Sequence, residues 1–116
     1  MTRGRSRDRG GATSTWSRGR DVIGRRFTEN LSLADIAGDV GASVFHLARV
    51  FRARTGFSLH AYRNQLRLRA ALERVHLPGV DLIEIALDLG FSSHSHFTET
   101  FRRSFGLTPS AVRETL

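Results

Sequence analysis

Cysteine is absent from this chain, which removes structural disulfides, thiolate metal sites and cysteine nucleophiles in one step. Proline occurs only twice. Pro78 stands beside Gly79, a pair that ends a helix, and Pro109 follows Thr108, a pair that opens one. No apolar run approaches the roughly 20 residues that a membrane-crossing helix needs, and the N-terminus lacks the apolar core of a secretory signal. Lysine is missing as well: all 18 basic residues are arginine. What remains is 116 residues with 40% hydrophobic content, enough for one compact domain that reads as soluble and cytoplasmic.

The formal charge of +7 is unevenly laid out. Six arginines (Arg3, Arg5, Arg7, Arg9, Arg18 and Arg20) crowd the first twenty residues against Asp8 alone. Residues 49–74 carry seven arginines against Glu73, whereas residues 75–116 set three arginines against five acids. A polyanion such as nucleic acid would therefore be held mainly by the middle of the chain.

The dominant pattern is an internal repeat. Residues 33–63, beginning LADIAGDVG, lie over residues 82–113, beginning LIEIALDLG, with an offset of 49 that becomes 50 after a single-residue gap. Leu33, Ile36, Ala37 and Gly41 answer to Leu82, Ile85, Ala86 and Gly90; Leu47, Phe51, Gly56 and Arg63 answer to Phe97, Phe101, Gly106 and Arg113. Each copy reads as a short helix, a turn at glycine and a second helix opened by serine (Ser43; Ser92 or Ser93), the outline of a helix-turn-helix. Leu47, Val50 and Phe51, or Phe97 and Phe101, supply an inward stripe at helical spacing.

The spacing predicts an all-α protein of about seven helices. Residues 1–17, rich in Arg, Gly, Ser and Thr without periodicity, read as a flexible arm or linker remnant. Residues 18–116 form the domain: Val22, Ile23 and Phe27 in a first short helix, a first helix-turn-helix over about 32–55, and a linker helix over about 58–76. A second helix-turn-helix follows over about 81–105 and a last helix over 109–115. Ser32 with Asp35, and Asp81 with Glu84, are spaced as capping boxes. The linker helix is expected to bury Leu59, Tyr62, Leu66, Ala70 and Val75. About 18 residues of helix span roughly 27 Å, of the order of the approximately 34 Å between major-groove openings on one face of B-DNA.

The runs RLRAALERV (67–75), LIEIALDLGF (82–91) and HFTETFRRSFGLTP (96–109) resemble the signature of the DNA-binding domain of AraC/XylS transcriptional regulators. The resemblance extends over about residues 18–115. It implies two helix-turn-helix subdomains joined by a linker helix, with two recognition helices in adjacent major-groove segments. It also implies a sequence-specific regulator of transcription, more often an activator, working through RNA polymerase. Carried over residue by residue, the base-reading positions are Phe45, Ala48 and Arg49 in the first unit. In the second they are His94, Ser95, His96, Thr98 and Glu99.

Arg49 suits guanine O6 and N7, Phe45 suits a thymine methyl, and Ala48 is too short for a hydrogen bond to a base. Glu99 departs from the basic or neutral side chain common there; its carboxylate is repelled by phosphates but can accept from cytosine N4. Arg52, Arg54, Arg63, Arg102, Arg103 and Arg113 are the candidate phosphate partners, and Arg67 and Arg69 share that choice with simply solvating a helix face.

The His94-Ser95-His96 run holds an H-x-H whose two rings diverge on a helix and lack a third ligand, so neither a metal nor a cofactor is expected. No acid completes a catalytic triad with the nearby serines, so no enzyme is expected. The arm also fits a minor-groove reach, though a linker remnant suits its composition better. The alternative function is a non-specific nucleic-acid or polyanion binder driven by the arm and the central arginines. A helical protein-interaction module is the remaining reading, disfavoured by Arg49 at a reading position. No effector pocket is apparent, and a sensor domain in a longer chain is compatible with the linker-like N-terminus.

Overall fold

The computed structural model describes the backbone of residues 3–115 and the side chains of residues 14–115. Among the described residues it is all helical, with seven helices: α1 (Arg3–Arg26), α2 (Leu33–Val40), α3 (Val44–Thr55), α4 (Leu59–Arg74), α5 (Leu82–Asp88), α6 (His94–Phe105) and α7 (Pro109–Glu114). They form two compact units divided inside α4. One comprises residues up to Arg26 together with Asn30–Arg63, the other Phe27–Glu29 together with residues from Asn64 onward.

In the first unit α1 packs on α2 and α3. It is longer than its composition suggests, because the helix begins at Arg3 where a flexible arm over residues 1–17 was expected. Thr15, Gly19, Val22 and Ile23 fall on one face at helical spacing and are all buried. Trp16 fixes the same stretch: its ring lies 5.0 Å from Phe51 and 6.4 Å from Tyr62, which are themselves 5.4 Å apart. Composition hid this because two of the face positions, Thr15 and Gly19, are small rather than apolar. Gly19 is needed for the approach, since a Cβ there would come 2.8 Å from Phe51 Cε2 and 3.1 Å from Leu47 Cδ1. The side chains of residues 1–13, and any minor-groove reach by them, lie outside the described residues.

Capping sets where α2 and α3 begin. Ser32 Oγ accepts from Asp35 N–H at 3.0 Å while Asp35 Oδ2 accepts from Ser32 N–H at 3.0 Å, a complete capping box. Those bonds, the backbone one foremost, hold the Asp35 carboxyl below its usual range. Ile36, Ala37 and Val40 are buried, and Gly41 then closes α2 in the left-handed conformation, φ 72°. Ser43 Oγ accepts from His46 N–H to start α3, which buries Leu47, Val50 and Phe51. Arg18 Nε donates to the Val40 carbonyl at 3.0 Å, and Arg26 pairs with Asp39 at 3.1 Å, tying α1 to α2.

The second unit repeats the pattern around Leu68, Ala71, Val75, Ile85, Ala86, Leu89, Phe91, Phe97 and Phe101. Phe91, Phe97, Phe101 and Phe105 form a chain of tilted and edge-on rings 5.1, 5.8 and 4.7 Å apart. Asp81 caps α5 by accepting from Ile83 N–H, two residues on, rather than through the box expected with Glu84. Thr108 Oγ1 accepts from Ala111 N–H, and Pro109 occupies the first turn of α7. In α4, Tyr62, Leu66 and Ala70 are only half-buried, while Leu59 and, just beyond the helix, Val75 are buried as expected; Leu68 and Ala71 join Val75 in the second unit's core, with Ala70 packed against it. The apolar side of this helix changes register because its two halves belong to different cores.

Arg67 is the centre of the second unit's polar framework. At 3% exposure it donates through Nε to the Phe27 carbonyl (2.7 Å), through Nη1 to Gly90 (3.0 Å) and through Nη2 to Glu29 (3.0 Å). Three carbonyl dipoles on one guanidinium fork offset the cost of burying the charge. The same crowding explains Gly90. Its φ is +93°, and a Cβ would collide with the Thr28 carbonyl oxygen and the Arg67 guanidinium.

Candidate nucleic-acid interface

Because α3 buries Leu47, Val50 and Phe51, its remaining faces meet solvent. Phe45 is 72% exposed, the most open of the large hydrophobic side chains among the described residues. The Arg49 guanidinium lies 5.2 Å over that ring, so the two expected base readers are already in contact. Ala48 beside them is half-buried, and Val44, which sequence reasoning passed over, is exposed at the first helical position. Its signal was available: Val44 stands at the register of His94. Arg52 and Arg54 are exposed on the same helix, which carries no acid. Arg54 lies 5.5 Å over the Trp16 ring and Arg20 5.7 Å, so two cations use one indole.

On α6 the corresponding surface is differently composed. His94, Ser95, His96 and Glu99 are exposed and Thr98 is half-buried. Ser93 Oγ accepts from His96 N–H to cap the helix. The His96 ring stands edge-on to Phe91 at 5.6 Å with Nδ1 3.3 Å from Ser92 Oγ, contacts that brace the start of the helix. Glu99 faces Arg102 with both oxygens, Oε2 to Nη2 at 2.7 Å and Oε1 to Nε at 3.2 Å, and reaches Arg103 Nη2 at 3.3 Å. The Arg102 hydrogen bonds foremost hold the Glu99 carboxyl below its usual range, and the Arg102 guanidinium is raised in turn.

Three arginines expected as possible phosphate partners are placed otherwise. Arg67 is the buried hub of the second unit. Arg63 Nη1 donates to the Leu31 carbonyl at 2.7 Å, and burial pushes its guanidinium down from its ordinary value. Arg113, its counterpart in the repeat, donates through Nε to the Val75 carbonyl at 3.0 Å and is half-buried. In each copy an arginine on the helix after the recognition helix reaches back to the chain that leads into the unit. The repeat position that Arg63 and Arg113 share was the sequence signal of this contact. Arg52, Arg54, Arg102 and Arg103 keep exposed guanidinium groups.

Among the described residues no group of three His, Asp or Glu could hold a metal ion, and no helix is long and apolar enough to cross a membrane. Two capped helix pairs, each with an exposed second helix, define a double helix-turn-helix DNA-binding domain. A model of the helix-turn-helix domain family matches residues 36–115. Over 86 residues the chain is 35% identical to the probable transcription factor PqrA of Proteus vulgaris, covering 74% of this chain and 70% of that protein. It is 36% identical over 86 residues to the HTH-type transcriptional activator AarP of Providencia stuartii, covering 74% of this chain and 64% of AarP. A solved transcriptional regulator with an AraC-type DNA-binding domain, from Chromobacterium violaceum, shares 31% identity and superposes with a TM-score of 0.81, covering 90% of this chain and 94% of that one. The chain belongs to the AraC family, whose members are DNA-binding regulators of transcription rather than enzymes.

Proposed function

We propose that the chain reads double-stranded promoter DNA sequence-specifically, with α3 and α6 entering two adjacent major-groove segments, and that it activates transcription. The observation that carries this reading is Arg49 stacked on the exposed ring of Phe45, on a helix bearing three arginines and no acid. Arg49 would read guanine and Phe45 a thymine methyl, while Ser95, Thr98 and His94 supply short polar readers on α6. Arg52, Arg54, Arg102 and Arg103 would hold phosphates.

Activation is supported by the name of AarP and implies a contact with RNA polymerase. An effector response would come from a sensor domain beyond these helices, and the regulator would act in the cytoplasm.

Selection from a random duplex library at about 150 mM salt tests the reading. The expected motif has two blocks about one helical turn apart. Arg49→Ala blurs one block, a loss of about 1–3 kcal/mol in discrimination at the base it reads. Recovery of no motif, with affinity that follows salt alone, would leave a non-specific polyanion binder.

A further inference from the structure

The repeat places Arg49 of α3 and Glu99 of α6 at the same register, so one reading position carries opposite charges in the two units. α3 itself carries no acid to compete for Arg49, Arg52 or Arg54. On α6 the two arginines best placed for phosphate are both engaged by Glu99, at 2.7 Å for Arg102 and 3.3 Å for Arg103, one and the same oxygen serving both. With a second oxygen on Arg102 Nε at 3.2 Å, the carboxylate presents to that guanidinium fork the two-oxygen face that a DNA phosphate would present. All three side chains remain substantially open to solvent, so the pairing is exchangeable rather than built into the core.

We propose that Glu99 is an intramolecular phosphate surrogate: it restrains Arg102 and Arg103 in the free protein and thereby sets the affinity and salt dependence of the second recognition helix. The inference rests on the DNA-reading proposal above and gives α6 a built-in brake that α3 lacks. To seat α6, DNA must displace a carboxylate from both guanidiniums and then tolerate that carboxylate near its own backbone. Part of the counterion release that would drive binding is spent in exchanging one anion for another. The brake makes engagement of the second unit more conditional on its bases than engagement of the first.

The test compares wild type with Glu99→Gln on a fluorescently labelled duplex of mixed sequence, titrated between about 50 and 200 mM salt. Glutamine keeps the size and helix preference of glutamate, and circular dichroism checks the fold. The expected result is binding tighter by a factor of roughly two to five at the low-salt end. The dependence of log affinity on log salt should also steepen by about 0.9 to 1.8, one to two added phosphate contacts. Adding Arg102→Ala and Arg103→Ala to Glu99→Gln removes the gain.

Unchanged affinity and slope overturn the inference. So does a Glu99→Gln effect that appears only in the library selection, as lost preference for one base at one position, which would make Glu99 a base reader. The mixed-sequence duplex reports phosphate release whether or not the chain prefers a sequence. A flat Glu99→Gln response therefore defeats the brake alone, and loss of any motif from the library selection defeats the two-headed reading alone.

Discussion

The two recognition helices share a scaffold and differ in what they present. Both open on a serine that accepts from the amide three residues on, Ser43 to His46 and Ser93 to His96, and both close on a glycine, Gly56 or Gly106. Both bury the same two positions, Leu47 and Phe51 in α3, Phe97 and Phe101 in α6. On the outer faces the likeness ends: an exposed phenylalanine under an arginine on one side, a serine and a glutamate tethering two arginines on the other. A repeat constrains the positions that meet the core, because every copy must pack; it leaves the positions that meet a partner free to diverge.

The comparison can be broken hardest at Arg67, which only the second unit has. Arg67→Leu leaves the buried Gly90 carbonyl and the part-buried Phe27 and Glu29 carbonyls without their donor and is expected to cost about 3–5 kcal/mol in chemical denaturation. Arg69→Leu, on an exposed face of the same helix, should stay within about 0.5 kcal/mol and serves as its control. Equal costs for the two would mean that Arg67 is not a hub.

The turn glycines come next. Gly41 and Gly90 are counterparts in the repeat, but a Cβ at Gly41 meets open space while one at Gly90 meets the Thr28 carbonyl and Arg67. Gly41→Ala should cost about 1–2 kcal/mol from the left-handed backbone alone, and Gly90→Ala about 3 kcal/mol or more. Thermal melts of the two variants side by side measure the difference, and a larger loss at Gly41 would contradict the packing described.

The smallest effect is expected in both units and is read by pH. Asp35 in the first unit and Glu99 in the second are both held below the usual carboxylate range, by the Ser32 hydrogen bonds and by Arg102 respectively. A depressed folded pKa contributes stability that is present above the unfolded value, about 4 for either group, and lost as pH falls through the folded one. Asp35→Asn and Glu99→Gln should each flatten the acid limb of the stability curve below about pH 4.5 and change little at neutral pH. Melting temperatures collected down that limb give the comparison; an unaltered limb in either variant would mean that its carboxylate is not coupled to folding.

Much of this fold was legible in the residues. The all-α class, the paired helix-turn-helix units and the caps at Ser32, Ser43 and Thr108 follow from short-range rules of spacing and hydrogen bonding that act within a few residues. Phe45 and Arg49 were legible as outward residues for the same reason: once Leu47, Val50 and Phe51 face the core, helical geometry turns the others to solvent. The first helix was legible only around Val22 and Ile23; its extension toward the N-terminus was hidden, because Thr15 and Gly19 carry no apolar signal and Trp16 finds its partners in Phe51 and Tyr62, far along the chain.

The arginines mark the limit most clearly. By sequence alone Arg52, Arg63, Arg67, Arg102 and Arg113 are equivalent cations with a common affinity for phosphate. Tertiary structure divides them, since a guanidinium stays available or becomes framework according to which carbonyls and carboxylates the fold brings within about 3 Å of it. Arg52 remains in solvent, Arg63, Arg67 and Arg113 are taken up by backbone carbonyls, and Arg102 is held by Glu99. The sequence by itself determined the helices and their outward faces, because caps and periodicity act locally. Only the tertiary structure decided which charges those faces could offer, because burial and long-range hydrogen bonds depend on residues the local pattern cannot see.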